Sequence, residues 1–321
     1  MPRFSVIMPL YNKERYVLHA IDSVLQQQFT DYELIVVDDG STDRSAQLVE
    51  ACLSASGLTG RCHLIRQTNS GVSVARNIGA AMAQGEYVTF LDGDDWWEPS
   101  FLTEMDGLIQ RYPQAGLYGT GYYIQKHGVR RVAPTGVDSK FTDGIIDYCS
   151  VYARTLCMPL HVDTIALRHD LFLATGGFPK GITLGEDFML WIKLALAHPV
   201  AYLNRPLVTY NQDVDAAHRA IGRLHDPSTH FLWNIDFLAE EERSNADMKR
   251  LLDGLRLYSL WPYHLSRQYH AAAQAELEKV DWSRQPASVR RRYRMPLPIA
   301  RLLYRIKRAG AHLKKQLKRK I

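Results

Sequence analysis

Residues 69–95 read NSGVSVARNIGAAMAQGEYVTFLDGDD, and three signals follow one another within them. Val74, Ile78, Ala81 and Met82 recur at helical spacing, so 72–84 is expected to be a helix that stops at Gly85. The apolar run of 86–92 is expected to be a strand, and it ends on Asp92, Gly93, Asp94 and Asp95. The same alternation extends upstream. Strands are expected over 4–10, 33–38 and 63–67. Helices are expected over 13–28, with Val17, Ala20, Ile21, Val24 and Leu25 on one face, and over 45–54, with Ala46, Leu48, Val49 and Cys52 inward. Strands alternating with helices define an α/β fold, a mostly parallel sheet flanked by helices, whose ligands bind beyond the strands' carboxyl ends.

Downstream the pattern loosens. Strand pieces are expected at 117–124 and 162–167, a helix at 187–197, then helices at 230–242, 246–260 and 262–280. The expected division is a catalytic domain over 1–226 and a helical C-terminal region over 227–321. The chain has 321 residues, 46% hydrophobic and 23% charged, the composition of an ordinary globular protein. Its net charge of +5 is uneven: residues 282–321 hold fourteen Lys and Arg and no acid, which leaves the preceding residues nine charges negative. An acidic body argues against a broad nucleic-acid face. In the tail, Leu297, Ile299, Leu302, Leu303, Ile306, Ala309, Leu313, Leu317 and Ile321 fall at 3–4 spacing, flanked by Arg301, Arg305, Arg308, Lys314, Lys315, Lys318 and Lys320. Such a basic amphipathic helix suits an anionic membrane surface. No apolar run reaches the ~18 residues that span a bilayer. Four cysteines without a paired spacing read as reduced thiols, and with no leader-like start they imply the cytoplasm.

The chemistry concentrates where the strands end. Three carboxylates at the end of the fourth strand repel one another unless a cation relieves them, and hard oxygen ligands suit Mg²⁺ or Mn²⁺ held together with substrate phosphates. Asp39, in VDDGSTD, offers a carboxylate to an imide N–H or a ribose hydroxyl, while Ser41 reads as a helix cap. Arg76 lies near the start of the third helix, where it could reach a phosphate or organise the aspartates. Glu186 and Asp187 stand at the lip of the helix that opens in LGEDFMLW.

In this order, SVIMPLYNKERY, LIVVDDGSTD, NSGVSVARNIGAAMAQGEYVTFLDGDD, GGF and GEDFMLW resemble the family 2 glycosyltransferases of the GT-A fold, over about residues 3–215. By this resemblance Asp39 contacts uracil, and Pro9, Tyr11 and Glu14 line the base and ribose pocket. Asp92 lies near the ribose or a metal-bound water, and Asp94 ligates the metal. Asp187 acts as general base and Glu186 positions the acceptor; His218 is a candidate to complete the metal site. The implied activity is inverting transfer from a nucleotide diphosphate-sugar, a UDP-sugar, to a glycan or lipid-linked acceptor for cell-surface polysaccharide or lipopolysaccharide. The expected place is the inner face of the cell membrane, with no specific nucleic-acid partner. Q-x-x-R-W, the motif of processive synthases, is missing and so are transmembrane helices, so one sugar per encounter is expected. A sugar-nucleotide pyrophosphorylase would want a Gly-rich loop where Pro9-Leu10-Tyr11-Asn12 stands, and a non-catalytic sugar-nucleotide or membrane-docking module would keep the fold without the transfer.

Overall fold

Every residue of Phe4–Leu10 (β1) and Tyr32–Asp38 (β2) is buried, as a strand covered on both faces requires. The computed structural model describes residues 1–55, 60–214 and 223–318, with side chains to residue 307. The chain divides into two compact units, Met1–Leu251 and Leu252–Ile321.

In the first unit, β1 pairs in parallel with β2 and with Tyr87–Phe90 (β4), and Cys62–Arg66 (β3) lies outside β2. The sheet continues with Trp96–Trp97 (β5), Leu117–Lys126 (β6), Val129–Val132 (β7), Asp143–Ile146 (β8), Ile165–Arg168 (β9) and Val200–Asn211 (β10). Its order is β3-β2-β1-β4-β9-β6-β10-β5, with β7 on β6 and β8 on β10. It is parallel from β3 to β4 and mixed beyond, because β9 runs antiparallel to both β4 and β6.

The helices of this unit are Val17–Leu25 (α1), Ser45–Ala55 (α2), Val72–Met82 (α3), Phe101–Arg111 (α4), Tyr148–Thr155 (α5), His169–Ala174 (α6), Glu186–Ala197 (α7) and Ala239–Ser244 (α8). The boundary between units falls within Ala246–Ser259 (α9). Alternate side chains of β1 and β2, among them Val6, Met8, Leu34 and Val36, share a core with Val17, Ile21 and Val24 of α1 and with Phe101, Met105 and Leu108 of α4. On the other side, Ile35 and Val37 pack with Ala75 of α3. The period-2 strand and the 3.6-period helix meet across each face, which is what holds the strand ends in register.

Three expectations are corrected. No single helix spans 230–242. Short 3₁₀ turns at Phe231–Trp233 and Asp236–Leu238 precede α8, and the Asn234 amide donates to the Pro227, Ser228 and His230 carbonyls. A side chain that competes for local carbonyls breaks a helix in this way. The helix expected at 262–280 is two, Trp261–Leu265 (α10) and His270–Glu278 (α11). The strand expected from 162 begins at Ile165, after a 3₁₀ turn over Val162–Thr164.

The second unit continues with Ala287–Arg294 (α12) and Leu297–Lys318 (α13). Its buried Arg256 pairs with Glu276 at 3.4 Å, and the Tyr293 hydroxyl donates to the Leu257 carbonyl at 2.8 Å. On α13, Ala300 is buried, while Ile299, Leu302, Leu303 and Ile306 are each at least half exposed. Among the described residues, no helix is long and apolar enough to cross a membrane.

Candidate active site

The loops after β1 and β2 are stitched together. Asn12, at φ 51°, accepts the Thr42 N–H on its Oδ1 at 2.8 Å, and its own N–H donates to Ser41 Oγ at 3.1 Å. The Lys13 N–H donates to Ser45 Oγ at 2.7 Å, and the Glu14 N–H to Asp43 Oδ2 at 3.1 Å. Burial opposes ionisation of Asp43, but hydrogen bonds from Ser45 and Glu14 outweigh it and hold its pKa below the usual carboxylate value. Gly40 must be glycine: φ is +73°, and a Cβ there would lie 2.9 Å from the Asn69 nitrogen.

Asp39 is buried beneath the next loop. Its carboxylate accepts from Gln67 Nε2 at 2.6 Å, Ser70 N–H at 2.7 Å and Gly71 N–H at 2.9 Å, where α3 begins. Pro9 lies inside β1, level with Val37 and buried; Tyr11 beyond it is 45% exposed. Glu14 accepts from the Arg44 N–H at 3.1 Å.

The acids gather one loop further along. Arg76, 3% exposed, reaches Asp92 at 2.7 Å and Glu186 at 3.1 Å, and packs its guanidinium over Phe178. Arg76 thus pairs with one acid from each of two segments distant in sequence. Two carboxylates raise its already high pKa against the effect of burial. Asp94 is paired with Lys13, Oδ2 to Nζ at 2.5 Å. Burial pushes the Asp94 pKa up, Lys13 opposes the rise and Asp92 adds to it.

Glu186 and Asp187 open α7. Gly185, at φ +85°, precedes them so closely against Phe231 that a Cβ would lie 2.4 Å from the ring. Burial raises the pKa of both acids. For Glu186 the Asp187 charge adds to the rise and Arg76 opposes it; for Asp187 His161 opposes it. Asp187 Oδ1 accepts from the Phe188 N–H at 2.7 Å, which orients the carboxyl.

Two residues that the sequence did not single out lie under this site. Asp163 is wholly buried; its Oδ1 accepts the Asp92 N–H at 2.7 Å, and its Oδ2 stands 3.0 Å from His161 Nδ1. The His161 ring lies 4.4 Å from Tyr210 and 5.6 Å from Tyr122, centre to centre. Burial opposes the charge on each partner, yet the pairing wins on both: Asp163 titrates lower and His161 higher than usual. Asp95 turns inward and accepts the Asn211 N–H at 2.7 Å; burial and Asp163 push its pKa well up. Asp95, His161 and Asp163 bring one ligand atom each within 4.8 Å of one another, a set that by atom type could hold a cation. Their oxygens also serve the Asp92 and Asn211 N–H groups, so the trio acts as a floor beneath the acidic turn. His218 lies outside the described residues.

The family model described as Glycosyl transferase family 2 matches residues 5–161. Glycosyltransferase GlyA of Streptococcus pneumoniae is 39% identical over 221 residues, 65% of this chain and 30% of the relative. The uncharacterized glycosyltransferase EpsJ of Bacillus subtilis is 34% identical over 139 residues, 43% of this chain and 39% of the relative. The chain thus spans about a third of the length of the curated relatives it matches. Among solved structures, that of Staphylococcus aureus TarS 1–349 in complex with UDP-GlcNAc superposes with a TM-score of 0.71 at 21% identity, covering 89% of this chain and 82% of that one. At that identity the likeness is one of fold.

Proposed function

We propose that the protein, whose residues 5–161 match the glycosyl transferase family 2 model, transfers a sugar from a UDP-sugar to a hydroxyl of a glycan or lipid-linked acceptor, with inversion. One observation carries this reading. Arg76 ties Asp92, two residues beyond β4, to Glu186, at the start of α7, so the acids suited to a diphosphate and those suited to an acceptor share one lip. The TarS structures hold UDP-GlcNAc or UDP, which favours a uridine donor.

In this reading Tyr11, Glu14 and Pro9 border the nucleoside. The Asp39 carboxylate, with three of its four lone-pair positions taken by protein donors, keeps one for the uracil imide. Asp92 and Asp94 fit a divalent cation. They are hard oxygen donors at a strand end, and each already draws a cationic side chain, Arg76 and Lys13. Mg²⁺ or Mn²⁺ bound there would neutralise charge on the departing diphosphate. Asp187 takes the proton of the acceptor hydroxyl, whose oxygen bonds to the anomeric carbon as the bond to the diphosphate breaks. Glu186, held by Arg76, orients the acceptor. With one base and no carboxylate nucleophile, a single displacement turns an α-linked donor into a β-linked product.

Thermal unfolding tests the donor assignment. UDP with Mn²⁺ at 100 times its Kd should add about 2.7 kcal/mol, a rise of about 4–5 °C in Tm for a chain of this size. No shift with any nucleotide–metal pair would end this reading.

The acceptor is proposed to lie at a membrane. Ile299, Leu302, Leu303 and Ile306 stand at i, i+3, i+4 and i+7 on α13, form one exposed apolar stripe and are flanked by exposed Arg305 and Lys307. An anionic leaflet at the inner face of the cell membrane complements both features, at about 1 kcal/mol per engaged cation. This would suit synthesis of surface polysaccharide or lipopolysaccharide. The protein should sediment with anionic vesicles at low salt, and removal of residues 296–321 should leave it in the supernatant. Equal sedimentation of both proteins would refute the membrane assignment.

A further inference from the structure

We propose that Lys13 is a diphosphate ligand held in reserve: its ammonium neutralises Asp94 until a divalent cation takes over that carboxylate, then turns to the donor's phosphates. The inference rests on the donor and cation reading above and adds a residue to it.

The pair is partly buried, the two side chains being 16% and 14% exposed. Its geometry separates what can move from what cannot. The Lys13 N–H is fixed on Ser45 Oγ, and its carbonyl accepts from the Tyr16 and Val17 N–H groups at 2.8 and 2.9 Å, so the main chain is locked at the entry to α1. The stem passes over Gly93, where an added Cβ would lie 3.6 Å from Lys13 Cγ. Only the flexible four-carbon arm is free to swing. It lies between the loop after β1 and the acidic turn after β4, the two segments that the proposed donor site joins. A lysine suits this exchange, since its point charge serves a carboxylate or a phosphate in any orientation.

Lys13 holds one oxygen of Asp94, and a dication on the other oxygen of the same carboxylate would stand within a few ångströms of the ammonium and repel it. The cation alone therefore competes with Lys13, whereas the cation together with a nucleoside diphosphate supplies the displaced ammonium with new acceptors. Cation and nucleotide must then bind cooperatively, and by linkage each strengthens the other equally.

The test uses the full chain and Lys13→Met, with Mn²⁺ binding followed by the paramagnetic resonance of the free ion, with and without UDP. Lys13→Met should bind Mn²⁺ alone about 10-fold more tightly and UDP in saturating Mn²⁺ about 10-fold more weakly, a loss of coupling within the usual allosteric range. Lys13→Arg should retain most of the coupling, and it serves as the informative variant should Lys13→Met not fold. Unchanged Mn²⁺ affinity, or weakening of both ligands together, would overturn the role of Lys13. A wild-type protein with no Mn²⁺-assisted UDP affinity would sink the donor reading itself, a distinguishable failure.

Discussion

Asp187→Asn is expected to lower turnover at least ~10²-fold and up to ~10⁴-fold, the range in which a positioned general base acts, while leaving the affinity for UDP unchanged. The amide keeps the volume and can still accept the Phe188 N–H that orients the wild-type carboxyl, so the start of α7 should not rearrange. Only the ability to take a proton is lost. Glu186 provides the internal control. It is committed to Arg76, so Glu186→Gln should act mainly on the acceptor's KM. If Asp187→Asn keeps its rate and Glu186→Gln loses it, the two roles are exchanged.

The pH dependence of kcat gives a second readout of the same carboxyl. Burial lifts the Asp187 pKa above its usual 3.8, with His161 limiting the rise. The base works ionised, so the rate should fall as pH drops through that raised value, with the acidic limb above the range of a free aspartate. His161 titrates above its ordinary 6.5 because Asp163 favours its charged form against burial. Loss of that charge at high pH would let the Asp187 pKa climb, although the carboxylate is by then fully ionised. The acidic limb should therefore survive in His161→Gln, displaced upward.

Much of this site can be read from residue order, and the rest depends on pairing over distance. The strand expected at 4–10 is found at those residues, and the helix expected at 72–84 is found at Val72–Met82, because period and stop signals are local. Asp92, Asp94 and Asp187 are legible as candidates because acids just after strands and at helix starts stand out in a short window. β10 was invisible: Asn204, Arg205 and Pro206 interrupt its apolar run, and its register to β6 shifts at Pro206, so only partners from β6, β8 and β5 make it a strand. His161 and Asp163 stayed hidden for a related reason. A histidine two residues from an aspartate looks like surface, and only tertiary packing sets His161 against Tyr122 of β6 and Tyr210 of β10 and hands Asp163 the Asp92 N–H. Likewise nothing local ties Lys13, at the expected start of the first helix, to Asp94, which the fold brings to 2.5 Å. Carboxylates declare themselves singly, whereas their counter-charges are placed by topology.

Asp94→Ala should separate binding from folding more sharply than any other change. Without Asp94, the Mn²⁺-dependent rise in Tm with UDP should disappear. Turnover should fall by about 10³-fold, since a cation on a leaving diphosphate is worth several kcal/mol in the transition state and 1.36 kcal/mol is tenfold. The same substitution should not destabilise the ligand-free protein at neutral pH. The sign follows from linkage. Burial and the Asp92 charge lift the Asp94 pKa above its unfolded value despite Lys13, so above that pH the folded chain holds an ionised group less willingly than the unfolded one does. A carboxylate in that position costs stability at pH 7, and the cost grows as pH rises through the lifted value. Alanine removes the cost, leaving Lys13, whose stem lies along Gly93, to return its ammonium to solvent. A ligand-free Tm equal to or above wild type, with the UDP–Mn²⁺ shift gone, is the expected pair of results. A large fall in the ligand-free Tm would make Asp94 a structural partner of Lys13, and a shift that survives would place the diphosphate elsewhere.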